Sequence, residues 1–73
     1  MRWLVKTLLD GEPFEEVYCS GTPAIPELGA ELMLPRDEED FVPAIVSELV
    51  VDRRNEPAIL KVICVSPSGR KPR

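Results

Sequence analysis

The sequence predicts an all-β fold: a small five-stranded antiparallel curved sheet or partial barrel of the SH3-like kind. Three observations carry that expectation. Short apolar stretches alternate with a period of two, as half-buried strands do. Turn residues separate those stretches at short intervals. Eight prolines stand among 73 residues, about twice the average usage, which leaves little room for uninterrupted helix. Five strands in so short a chain favour a strongly curved sheet that hides its edges. The expected organisation is one β-domain over residues 1–65 and a disordered basic tail over 66–73, because the tail has no apolar residue except proline.

The first two strands are read as a hairpin, Trp3–Leu9 with Phe14–Cys19. Asp10-Gly11 lies between them, and a type I′ turn wants such residues because both central positions take positive φ. Trp3, Val5, Thr7 and Leu9 share one face of the first strand; Leu4, Lys6 and Leu8 share the other. On the return strand Val17 and Cys19 oppose Glu16 and Tyr18. Residues 21–29 form a connector, since Pro23 and Pro26 exclude a central strand. Ile25 and Leu28 are its expected anchors on the core.

Ala30–Leu34 reads as a short strand, with Glu31 and Met33 facing outward. Arg36 to Asp40 then forms a solvated acidic loop. Phe41–Asp52 carries two patterns. Its apolar residues recur at helical spacing, so an α+β fold with a helix at about 41–54 is the alternative. Four valines and one isoleucine argue instead for a long, bulged strand. Ala58–Val65 is apolar on both faces and so is expected to be central.

The formal charge of −4 conceals an uneven layout. Residues 10–40 hold ten acids against the single base Arg36, a net −9. Residues 1–9 carry Arg2 and Lys6, and the tail carries Arg70, Lys71 and Arg73. Residues 41–65 balance. Such asymmetry speaks to partners rather than to fold.

Catalysis finds no support in these residues. The chain lacks histidine, which removes the commonest general base and metal ligand. Its serines stand in no nucleophile motif, and no glycine-rich phosphate loop is present. No cofactor is implied, and no metal, since Asp37-Glu38-Glu39-Asp40 matches no calcium-loop spacing. Cys19 and Cys64 are expected to be free thiols, with a cross-link between them as the minority reading. Direct nucleic-acid binding fits poorly, because the domain is acidic and has few rings to stack on bases. No apolar run reaches the ~20 residues of a membrane helix. Lys6 cuts short the apolar start that a signal peptide needs. The expected compartment is cytoplasmic.

The functional expectation is therefore a small non-enzymatic binding or accessory module. It would work through a protein–protein surface centred on the acidic segment 10–40 and aimed at a partner that can be basic. Candidate contact residues are Glu16, Tyr18, Glu31, Met33, Asp37, Glu38, Glu39 and Asp40. The remaining rings, Trp3, Phe14 and Phe41, are expected in or against the core. Two alternatives stand beside this reading. One is a homo-oligomeric structural subunit, because a core this small gains from self-association. The other is a mobile-element inhibitor that occupies a nucleic-acid-binding enzyme.

Overall fold

The computed structural model describes residues 2–67. It is all-β: β1 Arg2–Leu9, β2 Glu12–Ser20, β3 Glu31–Asp37, β4 Asp40–Asp52 and β5 Ala58–Val65. The strands form one sheet in the order β2-β1-β5-β4-β3. The sheet is strongly curled into a half-barrel, consistent with a small SH3-like barrel. No α-helix occurs among the described residues, so the helix alternative for 41–54 does not hold.

Three of the four ladders are antiparallel, and the fourth corrects the antiparallel expectation. β1 runs parallel to β5, from Trp3↔Ala58 to Leu9↔Cys64. The reason lies in the connector. The β1–β2 hairpin and the β3–β4–β5 meander are each antiparallel, and residues 21–30 carry the chain from one edge of the sheet to the other. The two units then meet through β1 and β5, which point the same way. Four interstrand spacings of ~4.8 Å each separate β2 from β3 at the opposite edges of such a sheet, a span that ten residues cover with ease.

The Asp10-Gly11 turn is as expected. Both residues have positive φ, 52° and 85°, as a type I′ hairpin requires. The turn is tied down twice. Asp10 N–H donates to the Cys64 carbonyl at 3.0 Å, and Asp10 Oδ1 accepts from Ser66 N–H at 3.0 Å. The expected tail falls, from Ser68 onward, outside the described residues.

The concave face holds the core. Trp3, Leu34, Ala44, Val46, Ala58, Leu60, Val62 and Cys64 are buried there, with Val5, Leu9, Phe14, Cys19, Leu32 and Leu49 packed against them. β5 is central, as its two apolar faces foretold; Leu60 is 0% exposed. A register shift leaves Phe14 without a partner between Thr7↔Glu15 and Leu8↔Pro13. That bulge lets Phe14 join the core although its sequence parity differs from that of Cys19. A second bulge lies at Ser47, between Val46↔Cys64 and Glu48↔Ile63, where Ser47 Oγ donates to the Ile63 carbonyl at 3.1 Å. Before it the even residues Ala44 and Val46 face inward; after it Leu49 does.

Trp3 is 2% exposed and its Nε1–H has no partner among the described residues. Leaving such a donor unpaired costs about 1–3 kcal/mol. Burial of the large ring opposes that cost, and the Arg53 guanidinium lies 6.0 Å from the ring centroid. Cys19 and Cys64 are both free. They sit in different cross-strand rows, Trp3↔Cys19 and Leu9↔Cys64, six residues apart along β1 and hence about 20 Å. A cross-link between them has no route.

Two expected anchors fail. Leu28 is 65% and Ile25 48% exposed. The connector instead presents Ala24, Ile25 and Pro26 to one side of an apolar cleft. Tyr18 and Phe41, at 65% and 54%, lie on the convex face and not in the core.

Candidate protein-binding surface

The acidic segment has a definite place in this architecture. Residues 10–40 comprise the β1–β2 turn, all of β2, the connector and all of β3. β2 and β3 are the two outermost strands. The segment of net charge −9 is therefore the rim of the half-barrel. The cationic Lys6 and Lys61 belong to the central strands β1 and β5.

Among the described residues both outer strands have one side without a strand partner, and the ladders fix which residues face it. Asp10 N–H bonds to β5. Strand alternation then turns the even residues of β1 to β5 and the odd residues Trp3, Val5 and Thr7 to β2. Their partners are Cys19, Val17 and Glu15. The intervening residues Glu16, Tyr18 and Ser20 direct their backbone groups off the free edge. At the other edge, Val46 N–H donates to the Ala30 carbonyl at 3.0 Å and Gly29 N–H donates to the Val46 carbonyl at 2.8 Å. The same alternation pairs Ala44 with Leu32 and Val42 with Leu34. It leaves the backbone groups of Glu31, Met33 and Pro35 facing outward. Proline is at home there, because an outward position needs no ladder donor. Pro43 has its missing N–H on the side away from β3, beyond the Ile45↔Val65 pair where the β5 ladder ends.

Of the expected contact residues, Glu16, Tyr18, Glu31 and Met33 are thus the residues at the free edges, and their side chains lie on the convex face. They form two groups. Glu16 and Tyr18 sit on β2, Tyr18 with the Arg2 guanidinium 6.0 Å from its ring centroid. Glu16 lies beside Lys6 in the β1–β2 register. Glu31 and Met33 sit on β3 with the acidic hairpin. Three strands separate the groups, about 19 Å measured along the sheet.

The hairpin between β3 and β4 presents Asp37, Glu38 and Glu39 around an open depression of about 290 Å³. Glu39 N–H donates to Asp37 Oδ1 at 3.3 Å, a local turn bond that orders the loop. Asp40 is bonded by the Arg36 guanidinium, which raises the Arg36 pKa. That pair withdraws one acid and the only base of the segment, and Asp37, Glu38 and Glu39 make no such ion pair among the described residues. At the opposite end Asp52 accepts from Arg54 N–H at 3.0 Å and from its guanidinium at 3.3 Å. Those bonds, the backbone one first, hold its carboxyl below the usual carboxylate range.

The sequence reading missed the apolar neighbours of Met33. Met33 is 58% exposed and lies opposite Pro43, and exposed Phe41 lies opposite Pro35. The signal was present: Val42, Ala44 and Val46 face the core, so the odd residues Phe41, Pro43 and Ile45 face out. The concave side offers a cleft of about 370 Å³ lined by Val5, Thr7, Ile25, Leu32, Leu60 and Val62 among others. Among the described residues its lining has no titratable side chain. Cys64 is 1% exposed, and its burial pushes the thiol pKa up, away from the reactive thiolate. Among the described residues no three ligating side chains are grouped to hold a metal ion. No helix among them is long and apolar enough to cross a membrane.

No family model, curated protein or solved structure matches the chain.

Proposed function

We propose that the protein is a noncovalent binding module that engages a basic protein partner through its acidic rim. One observation carries this reading: the segment of net −9 forms both outermost strands, the link between them and the Asp37–Asp40 hairpin, so its carboxylates lie where a partner can reach them. Charge in such a position steers encounter and favours partners of opposite sign. Glu38 and Glu39 are the steering acids. Tyr18 and Met33 supply amphipathic and apolar contact area of the kinds that interfaces enrich. The cytoplasm is the compartment that suits two free thiols.

The test is affinity capture with the wild-type chain and a Glu38→Lys/Glu39→Lys variant, compared by quantitative mass spectrometry at low and high salt. The expected result is a set of basic proteins retained by the wild type, lost on charge reversal and released by salt. A retained set that is unchanged by the reversal contradicts the proposal.

A further inference from the structure

We propose that the concave cleft beside the connector binds a small neutral hydrophobic molecule with one hydrogen-bonding oxygen, the chemistry of a medium-chain alcohol, and that the Thr7 hydroxyl holds its polar end. The inference stands apart from the basic-partner reading and uses a different part of the molecule.

Sheet and connector build this cleft together. Val5 and Thr7 of β1 lie opposite Leu60 and Val62 of β5 in the parallel register, and the four side chains form its floor. Leu32 of β3 bounds it, as do Ala24, Ile25 and Pro26 of the connector. The space is about 370 Å³, within the range of small-molecule sites. At ~30 Å³ for each non-hydrogen atom it takes roughly 12 of them.

Thr7 is the residue that points to a ligand. It is 8% exposed, the one buried polar or charged residue among those described. Its hydroxyl makes no hydrogen bond with the described residues. A hydroxyl buried without a partner costs free energy that a valine of similar shape would not incur. Water is a poor occupant of the space. An ordered water wants about 2–4 polar partners, and the side chains of this lining offer one. A molecule that brings its own oxygen to Thr7 and lays hydrocarbon against Val5, Leu32 and Ile25 suits both parts of the cleft. It would also cover Ile25, which is 48% exposed.

Charge narrows the class to neutral ligands. Glu15 lies opposite Thr7 in the β1–β2 register, and Glu27 follows Pro26 in the connector. Both repel an anionic head group. Lys6 and Lys61 do not offset them, because strand alternation places both on the convex face. Neither glutamate lines the cleft, so a bound ammonium would lose water without a direct partner. Residues 68–73 have no apolar side chain other than proline, so the chain's own end does not match this lining.

Titration of the isotope-labelled full chain with octanol, followed by amide and methyl shifts, tests this. Saturable shifts are expected at Val5, Thr7, Ile25, Leu32 and Val62, with a Kd below ~1 mM. Octanoate and octylammonium should bind at least ~10-fold more weakly. Thr7→Val should keep or raise the melting temperature and weaken octanol binding about 5–10-fold. Thr7→Ser, which retains the hydroxyl, should stay within about threefold of the wild type. The absence of saturable shifts overturns the proposal, as do shifts centred on Met33 and Phe41 of the convex face. An octanol affinity indifferent to Thr7→Val, or matched by either ion, overturns it too. Cleft shifts that depend on protein concentration without octanol would place a second copy there and equally overturn it.

Discussion

Leu60→Ala is the substitution that most directly weighs the core. Leu60 is 0% exposed at the middle of the central strand β5, opposite Val5 of β1 and Val51 of β4. The change removes three carbons, worth about 2.4 kcal/mol at ~0.8 kcal/mol each. The cavity left behind adds to this at ~24 cal/mol per Å³. Leu60 borders the apolar cleft of about 370 Å³, so water and neighbours can enter part of the void. The cavity contribution should then stay near ~1 kcal/mol, and the total near ~3 kcal/mol. A domain of this size is stable by roughly 4–10 kcal/mol, so the variant is folded but weakened, with a melting temperature lower by roughly 12–24 °C. Urea unfolding followed by fluorescence measures this, and the only tryptophan, Trp3, is buried in the same core. Lys61→Ala, next along the strand and exposed, serves as the reference and should change stability by less than ~0.5 kcal/mol. A loss for Leu60→Ala below ~1 kcal/mol, or one equal to the reference, would refute the central placement of β5.

Other expectations follow from single features. Gly11→Ala should destabilise by about 1 kcal/mol, because φ is +85° there while no atom lies within 4 Å of an added Cβ; the cost is conformational, and thermal melting reads it. Arg36→Ala removes an exposed pair with Asp40 and should leave the melting temperature nearly unchanged in the same assay. The Cys64 thiol is raised by burial, so its stabilising effect is full below the unfolded thiol pKa of about 8.5 and is lost as pH rises through the higher folded value. Urea midpoints should therefore fall in alkali, and Cys64→Val should flatten that fall. Asp52 has the opposite sign: its carboxyl is lowered by Arg54, so its small contribution is present above about pH 4 and fades as pH falls. Asp52→Asn should leave the neutral-pH melt nearly unchanged and reduce the acid-side slope.

The strands were legible where local rules dominate. Asp10-Gly11 announced the first hairpin, and Leu60, Val62 and Cys64 announced the buried face of β5. The helical look of Phe41–Asp52 has a structural origin. The bulge at Ser47 shifts the inward set from Ala44 and Val46 to Leu49, and Ile45 and Val50 lie on a convex face that is itself partly apolar. Period two with one slip mimics a longer period. The parallel β1–β5 pairing was not legible, because residues 21–30 carry no mark of crossing from one edge of the sheet to the other. The exposure of Tyr18 and Phe41 follows from parity within their strands, but parity becomes usable only once the inner face is known. The acidic segment was visible as a run of charge. That it forms the rim depends on strand order, which only the fold supplies.

Amide hydrogen exchange along β2 tests most directly whether the acidic segment borders a free edge. Strand alternation predicts slow exchange at Val17 and Cys19, which bond to β1, and fast exchange at Glu16, Tyr18 and Ser20, whose amides face outward. Uniform protection from Glu15 to Ser20 would show that this edge is covered and would contradict the account of an open acidic rim.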